Sequence, residues 1–403
     1  MTDADAPRPE SPPGPDSGLG RHAAPLSAEP RSAGPLNAGQ GLQPALPAPH
    51  TASPVTEYPV TFTGTAGEYF RLWIVNVALT LLTLGIYLPW ARVRTRQYFY
   101  GHTWLDGQNF EYRANPVALL RGYLLVGALF VAYSLSAQFE YYWLAGPLLL
   151  LYVGLYPWLV RQSLRFQAAN TLHRGLPFGF GGTVRDSYVA YGVANVIGGI
   201  GGLFALPWAW FMQRRYQLDH VAYGTARGHF RGDVAPFYII AVTAVGIAIG
   251  AGLLVLLPLA AVAFASFGRG ALSVETLDPG TLLPALIVGY VAFILLYTVV
   301  WQYIRGATMK YVLDHGELGG VVRTRATFSS WRLVWIGVSN AVVTVLTLGL
   351  ATPWAAIRRS RYVLEGIQVR AIAPLDDFAA GALQRESALG EAASELLDIQ
   401  VGF

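Results

Sequence analysis

The sequence predicts an all-α polytopic membrane protein: four spanning helices plus three repeated re-entrant or interfacial helical elements, with a small cytoplasmic β element. Three observations predict this class. Hydrophobic residues make up 53% of the chain and charged residues only 13%, about half the usual share for a soluble domain. Four uninterrupted apolar segments are each long enough to cross roughly 30 Å of hydrocarbon as a helix. A further unit, ending in Pro-Trp-Ala, arginines and a tyrosine, occurs three times.

The first 57 residues stand apart. Twelve of the 25 prolines lie there among Ala, Gly and Ser, and such a segment buries too little apolar surface to offset its ordering entropy. It is expected to be a disordered tail. It lacks the charged start and apolar core of a signal peptide. The membrane domain follows over 58–370. Its alternating Pro59–Gly64 segment and the Asp106-Gly107 pair between two apolar runs predict short strands and a hairpin over the first repeated element.

The three repeats lie at about 62–112, 178–231 and 328–370. Each carries an Asn (Asn76, Asn195, Asn340), an apolar stretch and a Pro-Trp-Ala triplet, with a Tyr eight residues beyond the Trp (Tyr98, Tyr216, Tyr362). Gly85 and Pro89 interrupt the first copy, and Gly349 and Pro353 the third, after stretches short for a comfortable crossing. The second copy is glycine-rich instead, with Gly198, Gly199, Gly201 and Gly202, residues that permit close helix approach.

The four long segments run over about 117–137, 142–160, 236–266 and 282–303. Charge selects between two foldings of the chain. With seven spanning helices, the alternative architecture, arginines divide evenly between the two faces. With four spanning helices and three elements that enter and return on one face, 23 of the 24 basic residues between 60 and 370 gather on one side, leaving only Arg269 opposite. The second arrangement obeys the positive-inside rule. It places both termini on the cytoplasmic side, and residues 371–403 are expected to form a cytoplasmic tail that is partly helical.

Candidate site residues are the polar groups of the repeats. Asn76, Asn195 and Asn340 either line a polar cavity or bond across helices at the breaks. Arg92, Arg94, Arg96, Arg214, Arg215, Arg358, Arg359 and Arg361 follow the Pro-Trp-Ala triplets and suit anionic lipid headgroups or plain topology setting. His102 and His220 each fall four residues past the repeat Tyr, and His173 and His315 precede the second and third copies. Without ligand spacing they read as interface or capping residues rather than a metal site.

The chain has no Cys, which excludes thiolate catalysis and Cys-held metals. No phosphate loop, metalloprotease motif or nucleophile elbow occurs, so no enzyme, catalytic residue or cofactor is expected. Basic residues adjoin apolar segments, which argues against nucleic acid as a partner and for the bilayer.

The segments Phe62-x-Gly64, Gly67-Glu68, Asn76 with TLGIYLPWA (83–91), Arg94, Arg96, Tyr98, LDG (105–107) and FEY (110–112) resemble the YjgN family of bacterial inner-membrane proteins. The C-terminal ALGEAASELLDIQVGF (388–403) is similar to the family's closing tail. The resemblance implies location and fold and brings no known activity. The functional expectation is a non-enzymatic lipid-contacting, scaffold or sensor protein. Its alternative is a small-solute transporter not driven by an intramembrane carboxylate, since broken helices and repeats recur in transporters.

Overall fold

A computed structural model describes residues 55–268 and 279–372. The disordered tail expected before residue 55 and the part-helical segment expected after 372 lie outside the described residues.

The chain alternates strands with helical pairs. β1 (Thr56–Phe62) leads into α1 (Ala66–Leu82) and α2 (Leu88–Gly101), which return to β2 (Thr103–Leu105) and β3 (Gln108–Tyr112). α3 (Pro116–Gln138) and α4 (Tyr142–Ala169) form the second pair, followed by β4 (Thr171–His173) and β5 (Leu176–Phe180). The third pair is composite. α5 (Val184–Ser187), a π-helical turn at Tyr188–Val193, α6 (Ala194–Gly201) and a 3₁₀ turn at Gly202–Phe204 make its outgoing arm, and α7 (Leu206–Asp219) its return. Next come β6 (Val221–Tyr223), β7 (Ala226–Phe230), then α8 (Ala235–Gly268) and α9 (Pro279–Asp314). β8 (Gly316–Leu318), β9 (Val322–Ala326), α10 (Ser330–Leu346), α11 (Thr352–Leu364) and β10 (Ile367–Ala371) complete the order.

The strands close into one ten-stranded antiparallel barrel in which chain neighbours are sheet neighbours. The seam is β1 against β10, with Thr56 opposite Ala371. Direction alternates around such a barrel. All five helical pairs therefore spring from one end, and the four short turns lie at the other. Two of these turns, Asp106-Gly107 and Arg174-Gly175, have both residues at positive φ (50°, 71° and 54°, 75°), the left-handed backbone conformation that two-residue turns use to match the right-handed twist of their strands. Val60, Leu105, Val322, Val369 and Ala371 form one buried interior cluster, and Leu176 with Tyr223 another.

This barrel overturns the expected all-α class with a small β element. The strands are three to seven residues long and sit between helices, too short to show a convincing alternation individually. A lone two-stranded hairpin is marginal in water, and closure gives each one a neighbour on both sides. The count of spanning helices is corrected too. Among the described residues, five segments are long and apolar enough to cross a membrane, Val184–Phe204 joining the four long helices. The seven-helix alternative is not met either, since α1 and α10, at 17 residues each, are not among those five.

Breaks one and three have the same backbone. Leu84 and Leu348 lie at φ 49° and 50°, and Gly85 and Gly349 at 91°. The Gly85 amide donates to the Thr80 carbonyl at 2.8 Å, and Gly349 to Thr344 at 2.7 Å. This is the glycine-terminated closure that satisfies orphan helix carbonyls. Around it, Leu84 is 95% exposed and Leu348 93%. Such apolar tips require acyl chains rather than water.

Candidate functional site: arginines and asparagines of the helical pairs

The repeat Tyr fixes each helical pair at its root. The Tyr98 hydroxyl accepts from the Thr65 amide at 2.8 Å and donates to the Thr65 carbonyl at 2.9 Å. Thr65 is the residue that caps α1. Tyr216 donates to Thr183 at 3.4 Å, and Tyr362 accepts from the Ser329 amide at 3.0 Å. Tyr311 makes the same pair of bonds to Asp233 at 2.7 and 3.2 Å. The arrangement thus recurs in the pair α8–α9, where no Pro-Trp-Ala triplet had marked it. A Cβ on Gly182 would lie 2.5 Å from the Tyr216 hydroxyl, and one on Gly232 2.9 Å from that of Tyr311. Glycine leaves room there for the tyrosine.

His102, His220 and His315 are one set. Each Nδ1 lies 2.7–2.9 Å from the carbonyl of the tyrosine four residues earlier, at the end of its helix. The sequence analogy of His173 with His315 does not hold. His173 ends β4, buried inside the barrel.

The three asparagines share a position without sharing a network. Asn76 Nδ2 donates to the Ala91 carbonyl at 3.4 Å, and Asn340 Nδ2 to the Ala355 carbonyl at 3.0 Å. Each bonds the Ala of its Pro-Trp-Ala triplet, tying the outgoing helix to the return helix. Arg358 donates to Asn340 Oδ1 at 2.9 Å and to Ser339 at 2.7 Å. In the first copy the corresponding Arg94 turns to the Tyr87 hydroxyl at 2.9 Å. Asn76 Oδ1 is consequently buried without a partner, beside a 380 Å³ cleft bordered by Thr80, Arg92, Thr95 and Arg96. Asn195 is exposed and accepts from Gln213 at 2.7 Å. The three do not meet in a common cavity: each belongs to its own helical pair.

Partner chemistry divides the candidate arginines. Arg92 lies 5.1 Å over the Tyr123 ring, and Arg96 donates to the Tyr112 hydroxyl at 2.7 Å. Arg214 donates to Gln217 at 2.8 Å, and Arg358 also sits 5.2 Å over Trp354. Only Arg215, with Asp219 at 3.3 Å, and Arg361, with Glu365 at 4.0 Å, meet carboxylates among the eight. Arg359 has no hydrogen-bonding or acidic partner among the described residues. It shares a 730 Å³ cleft with Arg305, close enough for their like charges to repel. Phe99, Tyr100 and Met309 border the same cleft. Arg305 was not among the sequence candidates, because it lies in a long apolar helix and outside the repeat motif.

The barrel does the opposite. Arg113 pairs with Glu111, Arg174 with Asp106, Arg231 and Arg323 with Glu317, and Arg370 with Glu57. Its arginines are largely neutralised in place, whereas six of the eight candidates on the return helices meet no carboxylate.

Long apolar helices with bare apolar tips, rooted in a small polar-ended barrel and ringed by uncompensated arginines, define an integral membrane protein. The chain belongs to the family described as bacterial protein of unknown function (DUF898), which it matches over residues 57–396. It is 35% identical over 129 residues to the inner membrane protein YjgN of Salmonella typhimurium, and 33% identical over 133 residues to that of Escherichia coli K12. These alignments span 32% and 31% of this chain and 33% and 32% of the relatives. The chain thus matches about a third of the length of its curated relatives. No solved structure matches it.

Proposed function

We propose that the protein is a non-enzymatic inner-membrane protein that holds anionic lipid headgroups on the arginines of its return helices. The observation that carries this reading is the Arg305–Arg359 cleft, where two like charges converge with no carboxylate between them. Bringing two guanidinium groups together costs energy unless an anion joins them, and phosphate accepts bidentate bonds from arginine. Phe99, Tyr100 and Met309 give the same cleft an apolar side on which a lipid's glycerol and upper acyl region can rest. Arg92, Arg94, Arg96, Arg214 and Arg358, held by Tyr, Gln, Asn and Trp rather than by acids, extend the positive zone around the helical layer. Thr56 and Ala371 leave the barrel side by side at the end away from the helices. The arginine-rich side is read as cytoplasmic by the positive-inside rule.

Native mass spectrometry and lipid extraction on purified full-length protein test the reading. Anionic phospholipid should co-purify above its bulk membrane fraction, and the Arg305→Gln/Arg359→Gln double variant should lose at least one bound molecule. Lipid at bulk composition in the unaltered protein refutes it.

A further inference from the structure

A cavity of about 300 Å³ lies inside the barrel. Residues of β2 through β10 contribute to its wall, among them Leu105, Phe178, Leu318, Val322 and Val369. It reaches from Leu313 at the foot of α9 to Arg174 in the β4–β5 turn. Its volume falls at the small end of the range typical of ligand pockets.

The polar side chains around this space are almost all engaged. Tyr223 donates to the His173 carbonyl at 2.8 Å, and the Thr324 hydroxyl to the Leu313 carbonyl. Arg174 holds Asp106, and Glu317 is shared by Arg231 and Arg323. On His173 one ring nitrogen is not engaged. The residue is 5% exposed, and its Nε2 is buried with no hydrogen-bond partner. Its ring lies stacked on Phe110 with centroids 4.6 Å apart, which fixes its plane. A buried imidazole nitrogen left without a partner is unfavourable.

We propose that the barrel interior is a binding site for a compact, uncharged and mainly apolar molecule bearing one hydroxyl or N–H, which hydrogen-bonds to His173 Nε2. The charged residues of the wall itself are one arginine, Arg174, and one glutamate, Glu317, each held in an ion pair, so the wall offers an ionic ligand no excess charge of one sign. Burial lowers the pKa of His173, with the Arg174 charge acting in the same direction against Asp106 and the carbonyls of Leu105 and Gln108. The ring is held neutral, and a neutral ring with Nδ1 protonated keeps a lone pair on Nε2 for a donor. The site is separate from the arginine clefts and stands whether or not those bind lipid.

The test uses full-length protein with ¹⁵N-labelled histidine in lipid nanodiscs, titrated with 1-naphthol, and His173→Gln to assign the resonance. Binding should move the His173 Nε2 shift saturably and leave the other six histidines still; followed by 1-naphthol fluorescence, it should weaken about tenfold in His173→Phe, as for one lost hydrogen bond. Leu318→Trp, which fills the cavity, should abolish the response. A His173 signal that does not saturate, or moves no more than the other histidines, overturns the proposal from the unaltered protein alone. A response that persists in a folded Leu318→Trp variant overturns it as well.

Discussion

The barrel and the helical layer treat the same residue in opposite ways. In the barrel, Arg231 and Arg323 share Glu317, whose side chain is only 13% exposed, and Arg174 closes on Asp106. In the helical layer Arg359 faces Arg305, and Arg358 is held by an asparagine, a serine and a tryptophan face. An ion pair inside a protein is formed where both partners can be supplied by the chain. A positive group without a carboxylate beside a bilayer finds its counter-charge in the headgroups. The difference teaches that arginine in this chain has two jobs: internal neutralisation in the sheet and an outward charge on the helices.

The strongest way to break that contrast is to remove one charge from each region. Glu317→Gln should lower stability by about 1–2 kcal/mol, because it removes the shared acceptor of two half-exposed arginines, each pair worth up to about 1 kcal/mol. Arg359→Gln should leave thermal stability in detergent unchanged or raise it, since it relieves repulsion. Equal losses in thermal unfolding would erase the distinction. A smaller effect separates the asparagines. Asn340→Ala removes two well-formed bonds and should cost about 1 kcal/mol. Asn76→Ala removes one long bond and an unpartnered oxygen, and should cost less than about 0.5 kcal/mol. Chemical denaturation of both variants checks the order.

The smallest effect concerns acid. His173 has its pKa lowered in the folded protein by burial, so the unfolded chain takes up the proton first as pH falls below about 6.5. Stability should therefore decline on acidification through that point and level off below the folded pKa. Comparing His173→Gln with the unaltered protein isolates the term: the variant's acid slope should be shallower, and identical slopes would refute it.

Much of this was legible from residues. The Asn to Pro-Trp-Ala spacing marked a real bond, since Asn76 and Asn340 reach the alanine carbonyl of their own triplets. The Tyr at a fixed distance proved to be the root pin of each of the three repeated pairs, and Asp106-Gly107 the hairpin it signalled. The fourth pinning tyrosine, Tyr311, was hidden because α9 lacks the triplet around it. Arg305 was hidden because nothing local distinguishes it from other helix-end arginines. The Arg174-Gly175 turn and the three-residue strands β4 and β6 were hidden because a strand of that length carries no readable period.

The sequence by itself determined the membrane class, the repeated unit and the arginine-rich character of the return helices, because hydrophobicity, helix breaks and charge act locally. Tertiary structure alone decided that the strands between the helices close into a barrel, that the helical pairs all stand on one end of it, and that Arg305 meets Arg359. Those outcomes depend on pairing between residues as far apart as Thr56 and Ala371. Hydrogen bonding across such a distance is satisfied only when every strand has found both neighbours, which no single segment can announce.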